Sequence, residues 1–371
     1  MPKQKTDING NPFGLQYTAP NQKWTIVKGV EVTGTAIGVY STFVGSKLIN
    51  QGDVGGGSIG VYYFLSNQFG NYLIENQTKA EIAGGAVGIY VDSFLGSLEI
   101  NNAGKVSGGS IGVLATGSTN MDVTNTGSIF GTNIGIQLAA MSAGSGGMVF
   151  NNHGKVQSPQ IATYFSGPAG VPVKVVNHDD GTIKAGPGIA VFGLAPMKIK
   201  NEGTIQGHII TIDQVDKLVN TGKIKGETLL GGGNDVFKNK GDAKAGNINL
   251  GEGNDLAVLG NASEKLVFDT ALNAATNVDT IRKFASGKDM MLLDEDIFTT
   301  IMPGTLSSSA FHKGTSAADA DDRIIYDKST GALYYDPDGI GGLAQTQFAK
   351  LTPGTKLKAS DFSVGEYSLV L

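Results

Sequence analysis

The chain has 371 residues, 55 of them glycine, no cysteine and a net charge of −5 at neutral pH. Only 16% of residues are charged, well below the usual quarter or so, so a highly charged disordered chain is excluded. Without cysteine there are no disulfides, thiolate metal sites or cysteine nucleophiles, and no basic cluster suggests nucleic acid or anionic lipid as a partner.

The charge is unevenly placed. Residues 1–230 carry 14 acidic and 15 basic residues, whereas 231–371 carry 19 and 13. The opening "MPKQKTDINGNPFG" lacks the apolar core of a secretory signal peptide. If the protein is exported, its address lies elsewhere. No apolar run reaches the length of a membrane span. Residues 1–23 read as a polar, irregular extension that either drapes over the next element or meets another molecule.

From Trp24 a repeat begins. "WTIVKGVEVTGTAIGVY" is followed by "LINQGDVGGGSIGVY" from Leu48, "LEINNAGKVSGGSIGVL" from Leu98 and "MDVTNTGSIFGTNIGIQ" from Met121. The frame is an apolar strand, Asn, a residue or two, Gly, a short apolar step and a glycine-flanked "IGV". The recurring asparagines are Asn50, Asn76, Asn102, Asn125, Asn152, Asn177, Asn201 and Asn220, about 24 residues apart on average, as expected for one rung of a parallel β-helix. Leucine-rich repeats need a regular leucine spacing that is missing here, and helical repeats are poor in glycine. A single rung cannot bury its apolar face, but stacked rungs share a core of Ile, Val and Leu. Asparagines stacked at one corner can hydrogen-bond from rung to rung as a buried ladder. A sugar-binding asparagine row is the alternative, but such a row would have to face outward. The fold class is therefore all-β, a right-handed parallel β-helix over 24–230.

Next come two glycine-aspartate turns: Gly231-x-Gly233-x-Asp235 and, twenty residues later, Gly251-x-Gly253-x-Asp255. Twenty residues is about one rung, so the two turns should lie one above the other. Glycine lets the backbone bend so that carbonyl oxygens point into the gap, and each aspartate adds a carboxylate. Calcium is the hard cation that takes many oxygen ligands. An aspartate that caps its own turn is the plainer reading.

Beyond residues 231–260 the rung pattern fades. "NVDTIRKFASGKDMMLL" from Asn277 leads to a predicted hairpin, with strands Arg323–Asp327 and Ala332–Asp336 joined by Lys-Ser-Thr-Gly. "DPDG" at Asp336–Gly339 has the start of an EF-hand loop, but Gln347 stands where a bidentate Glu is required, so it reads as a turn. Residues 261–371 are expected to form a small β-rich domain capping the open solenoid end.

These segments resemble known families. The asparagine rungs are similar to the β-helical passenger domains of bacterial autotransporters and surface adhesins. The frame around Gly231, Gly233, Asp235 and Phe237 resembles the repeats-in-toxin (RTX) nonapeptide of Gram-negative secreted proteins. Ala257, small where that frame has a bulky residue, departs from it, as does a spacing of twenty rather than nine. The pattern Asp279, Ile281, Phe284, Gly287 and Asp289 resembles the segment following RTX repeats. The hairpin stretch looks like the C-terminal export signals of type I secreted proteins. The resemblance implies calcium held by Asp235 and Asp255, with backbone oxygens at Gly231, Gly233, Gly251 and Gly253. It also implies an extracellular or cell-surface location.

Few residues in the chain suit catalytic chemistry. The only arginines are Arg282 and Arg323, and the four histidines fall in different rungs. His178 beside Asp179-Asp180, in "NHDDGTI", is the best acid-base candidate, but a plain acidic turn accounts for it. The expectation is a non-catalytic, calcium-stabilised protein that self-associates as a layer, filament or adhesin subunit. The alternative is a polysaccharide-active enzyme (lyase, epimerase or hydrolase) with an RTX secretion module.

Overall fold

The fold was taken from a computed structural model that describes residues 2–66, 69–117, 120–141 and 146–367. It is all-β, a parallel β-solenoid, and the only helices among the described residues are two 3-10 turns, Ser308–Ala310 and Ala359–Asp361. The chain divides into two compact units, Met1–His208 and Ile209–Leu371.

In the first unit most floors contribute three short strands, and in the others neighbouring strands merge, as in Val87–Asn102 and Thr182–Leu194. One floor has Asn120–Asn125, Ser128–Gly131 and Ile134–Ala140; the next has Met148–Asn152, Lys155–Ser158 and Ile161–Ser166. All three pairs are parallel, with Asn125 opposite Asn152, Ile129 opposite Val156 and Ile136 opposite Thr163. The floors form because β-branched and other apolar residues alternate with polar ones, placing alternate side chains inside. Val123, Ile129, Ile136 and Leu138 are buried. The glycine of the recurrent "IGV" is required by close stacking. A Cβ on Gly112 would lie 2.6 Å from the carbonyl oxygen of Gly135 on the next floor.

The asparagines form the expected ladder. Asn50 Nδ2 donates to Asn76 Oδ1 at 2.9 Å, and five further links, each 2.8 Å, lead through Asn102, Asn125, Asn152 and Asn177 to Asn201. All seven are buried, so the amides satisfy one another along the axis. At the floor above Asn50 the position is Ile26, also buried.

Residues 3–16 do more than drape. Lys3–Gln4, Ile8–Gly10 and Phe13–Gln16 pair in parallel with Lys23–Ile26, Glu31–Gly34 and Ile37–Ser41 and so build a floor of their own. Their short strands lack the asparagine and most of the apolar content that mark later floors.

In the second unit, parallel pairing continues past the point near Gly260 where the repeat fades. Val236–Asn239 pairs with Leu256–Val258, which pairs with Asp279–Arg282, which pairs with Thr346–Leu351. On another side, Lys265–Phe268 pairs with Met290–Asp294, and that strand with Phe362–Gly365. These floors are hard to see in the sequence because long insertions separate their strands. The hairpin lies within one insertion: Ile324–Asp327 and Ala332–Tyr335 are antiparallel, and the second also pairs antiparallel with Thr346–Leu351. Asp327 holds its tip, accepting from the Ser329 amide at 2.9 Å and from the Ser329 and Thr330 hydroxyls at 2.6 Å. These hydrogen bonds bring its pKa down to about 2.

No helix among the described residues is long and apolar enough to cross a membrane.

Candidate metal centre

The two glycine-aspartate turns stack as their spacing implies. Gly232 and Glu252 form a parallel bridge. The Glu252 amide donates to Gly231 O at 2.8 Å, and the Gly233 amide donates to Glu252 O at 2.9 Å. Gly233 and Gly253 have φ of +138° and +142°, a region that residues with a side chain rarely adopt. The fit is close, since a Cβ on Gly253 would lie 1.6 Å from Gly233 O.

Asparagine and aspartate follow each second glycine, and both stack. Asn234 Oδ1 accepts from the Asn254 amide, and Asn254 Oδ1 from the Val278 amide, both at 2.9 Å. The aspartate stack spans four floors: Asp216, Asp235, Asp255 and Asp279. The last three carboxylates each cap the amide of the aspartate one floor earlier. Asp235 Oδ1 accepts from Asp216 N at 2.7 Å, Asp255 Oδ1 from Asp235 N at 2.6 Å, and Asp279 Oδ1 from Asp255 N at 3.2 Å.

The aspartates are 1–5% exposed. The second oxygens, Oδ2, of Asp235 and Asp255 are buried without a hydrogen-bond partner. A buried carboxylate with an orphaned oxygen is costly unless it is neutralised. Burial is accordingly the main cause that pushes Asp235 up to about 8, with the charges of Asp255 and Asp216 adding to it. Burial likewise raises Asp255 to about 6. Asp279 is raised well above the usual carboxylate range by burial and by the nearby Asp255. Either protons or a cation must balance this column.

The calcium ligands expected from the sequence are thus brought together: Asp235 and Asp255 occupy neighbouring floors of one stack, and Gly231, Gly233, Gly251 and Gly253 form the turns beside them. The carbonyls of Gly231 and Gly251 already accept hydrogen bonds, the latter from Thr270 Oγ1 at 3.2 Å. Among the described residues, no three His, Asp or Glu side chains converge as a ready-made cage. A cation here would draw on carboxylates of successive floors, and the orphaned oxygens fit that demand. A groove of about 560 Å³ runs beside the turns, lined in part by Gly233, Asn234, Glu252, Gly253 and Asn277.

No protein-family model, curated protein or solved structure matches the chain. The residues alone therefore carry the functional reading.

The glycine-aspartate frame does not mark Asp216 and Asp279 as members of the stack. Asp216-Lys-Leu-Val-Asn220 and Asp235-Val-Phe-Lys-Asn239 share the frame D-x-x-x-N, a signal that could have found Asp216. The same frame points to Asn239, which accepts from Asn220 Nδ2 at 2.9 Å and donates to Glu264 Oε1 at 3.2 Å. Burial, with Asp289 close by, raises the pKa of Glu264.

Asp289 caps the Glu264 amide at 3.0 Å and the Ala285 amide at 2.8 Å, and Ile281 and Phe284 are buried. That segment is built into the stack. Asp336–Gly339 forms a turn in which Asp336 Oδ1 accepts from the Asp338 and Gly339 amides at 3.2 and 3.0 Å.

In the first unit, His153 and His178 stack with ring centroids 3.7 Å apart. His153 Nδ1 lies 3.1 Å from Asp180 Oδ1, and His178 Nδ1 lies 3.5 Å from Glu202 Oε2. Each histidine directly follows a ladder asparagine, so the repeat itself places the rings on successive floors. Asp180, from the "NHDDG" turn, therefore pairs with the histidine of the preceding floor.

Proposed function

We propose that this is a secreted structural protein that calcium stabilises and that assembles with copies of itself at a cell surface or in an extracellular matrix. The observation that carries the reading is the column of four buried aspartates, in which Asp235 and Asp255 sit on stacked glycine turns and each keep an orphaned oxygen. Such a column is unfavourable when ionised and becomes favourable when a divalent cation balances it. Asp235 and Asp255, on neighbouring floors, are the residues that would hold the ion. The resemblance of these turns to RTX repeats adds support, as does the resemblance of the C-terminal hairpin stretch to type I export signals.

The solenoid suits a structural role. Continuous parallel pairing and a buried asparagine ladder make a stiff scaffold in which each floor stabilises its neighbours. Because ion binding would favour only the folded state, its free energy would become folding free energy. A chain poor in calcium inside the producing cell would then stay loose for export and lock outside.

Electron microscopy of the purified chain with calcium and with chelator tests this reading. Ordered filaments or layers that form only with calcium are expected. Calcium-independent monomers that degrade an acidic polysaccharide would overturn it in favour of the enzymatic alternative, for which the His153, Asp180, His178 and Glu202 cluster would be the first place to look.

A further inference from the structure

One side of the first unit is unusually apolar on its outer surface. It is built from the strands that begin with the "IGV" step, from Ile37–Ser41 through Ile111–Gly117 and Ile161–Ser166 to the later part of Thr182–Leu194. The register places Ile37, Ile59, Val87 and Ile111 in one outward column, which continues through Ile134 and Ile161 to Ile189. Every residue in this column remains partly exposed.

A second column runs three residues further along the strands and is mostly aromatic. Tyr40, Tyr62 and Tyr90 are followed by Leu114 and Gln137, then by Tyr164 and Phe192. Among the described outward residues of these strands only Asp92 is charged, and it accepts a hydrogen bond from Thr116 Oγ1 at 2.6 Å.

The dimensions follow from sheet geometry. With the floor of Phe13–Gln16, which pairs with Ile37–Ser41, eight floors about 4.8 Å apart, crossed by strands of about six residues at about 3.3 Å each, give a face of about 34 by 20 Å. That is about 680 Å² per copy, larger than the roughly 300–600 Å² that the largest apolar patch of a monomer usually reaches. Two such faces together would bury about 1,350 Å², within the range of about 1,200–2,000 Å² for stable protein–protein interfaces.

We infer that this isoleucine-tyrosine face is where two copies of the chain meet, sheet against sheet. The inference rests on the assembly reading above and names the surface responsible. Two copies of a face whose one charge is Asp92, held by Thr116, meet with little like-charge repulsion. Their outward columns can interdigitate as the inner faces of a β-sandwich do. The aromatic geometry favours a protein occupant over a glycan. Phe13 stacks on Tyr40 and Tyr62 on Tyr90, with planes only 12° and 11° apart and centroids 4.5 and 4.8 Å apart. These rings cover one another's faces and turn their edges outward, whereas a sugar ring packs on an open aromatic face.

Sedimentation velocity of the full chain with calcium, over a range of concentrations, tests the inference. The parent chain is expected to associate reversibly. The double variant Ile111→Lys with Ile134→Lys should weaken association by about a hundredfold or more, because charges would be buried without partners. Val149→Lys, on the side formed by Met148–Asn152, should associate like the parent.

If the first variant loses its β-sheet circular dichroism, the pair Ile37→Lys with Ile59→Lys places the same charges on other floors of the column. Assemblies of a folded face variant that match those of the parent would overturn the face while leaving the structural reading intact. A parent chain that stays monomeric with calcium at every concentration would overturn both.

Discussion

Replacing Asn125 by alanine removes one link from the middle of the buried ladder, and its cost can be worked from the geometry. Asn125 Oδ1 accepts from Asn102 Nδ2, and Asn125 Nδ2 donates to Asn152 Oδ1, both at 2.8 Å. Alanine would leave Asn152 Oδ1 without that donor in a buried site. Asn102 Nδ2 would lose its shortest acceptor but keep Ser128 O at 3.1 Å and Gly104 O at 3.3 Å. A buried polar group left unsatisfied costs about 1–3 kcal/mol, so one full and one partial loss come to about 3 kcal/mol. In a unit of this size each kcal/mol lowers the melting temperature by about 2–4 °C, giving a fall of about 6–12 °C. Thermal unfolding followed by circular dichroism measures it. The control is Asn101→Ala, whose amide reaches only the exposed Glu99 carboxylate and whose loss should cost less than about 0.5 kcal/mol. If Asn125→Ala melts within about 2 °C of the parent, the ladder does not stabilise the solenoid as argued.

Further predictions concern the second unit. The raised pKa values of Asp235 and Asp255, about 8 and about 6, mean that without a cation folding favours their neutral forms. Their contribution to stability is therefore full below the ordinary carboxylate value and is lost as pH rises through about 6 and then about 8. In chelator the urea midpoint should fall as pH is raised over that window, and calcium should abolish the fall; a midpoint that rises in chelator would contradict the burial argument. Gly253→Ala should destabilise by about 2–4 kcal/mol because it adds overpacking to backbone strain. Gly241→Ala, with φ of +58° and nothing within 4 Å of the added carbon, should cost only about 1 kcal/mol. Equal urea midpoints for the two variants would show that the close approach of successive turns is not required.

What the sequence made legible was whatever repeats at short range. The asparagine spacing announced the parallel floors and the inward ladder, because both arise from one residue at one corner of each rung. The stacking of the turns around Asp235 and Asp255 was legible for the same reason. Asp279 was hidden because the insertion Thr270–Thr276 stretches its floor to 24 residues and replaces the glycine turn. The floors ending in Thr346–Leu351 and Phe362–Gly365 were hidden because their partners Asp279–Arg282 and Met290–Asp294 lie some seventy residues earlier and no local period links them. Residues 3–16 were hidden because their strands are only two to four residues long and lack the ladder asparagine that marks later floors.

Isothermal titration of calcium into the chelator-treated protein, comparing the parent with Asp235→Asn plus Asp255→Asn, tests the central claim most directly. Losing two carboxylates from the column should weaken binding by more than about tenfold, or about 1.4 kcal/mol, while the asparagines preserve shape and the folded circular dichroism. Calcium uptake unchanged in the folded double variant, or no uptake by the parent, would contradict the claim.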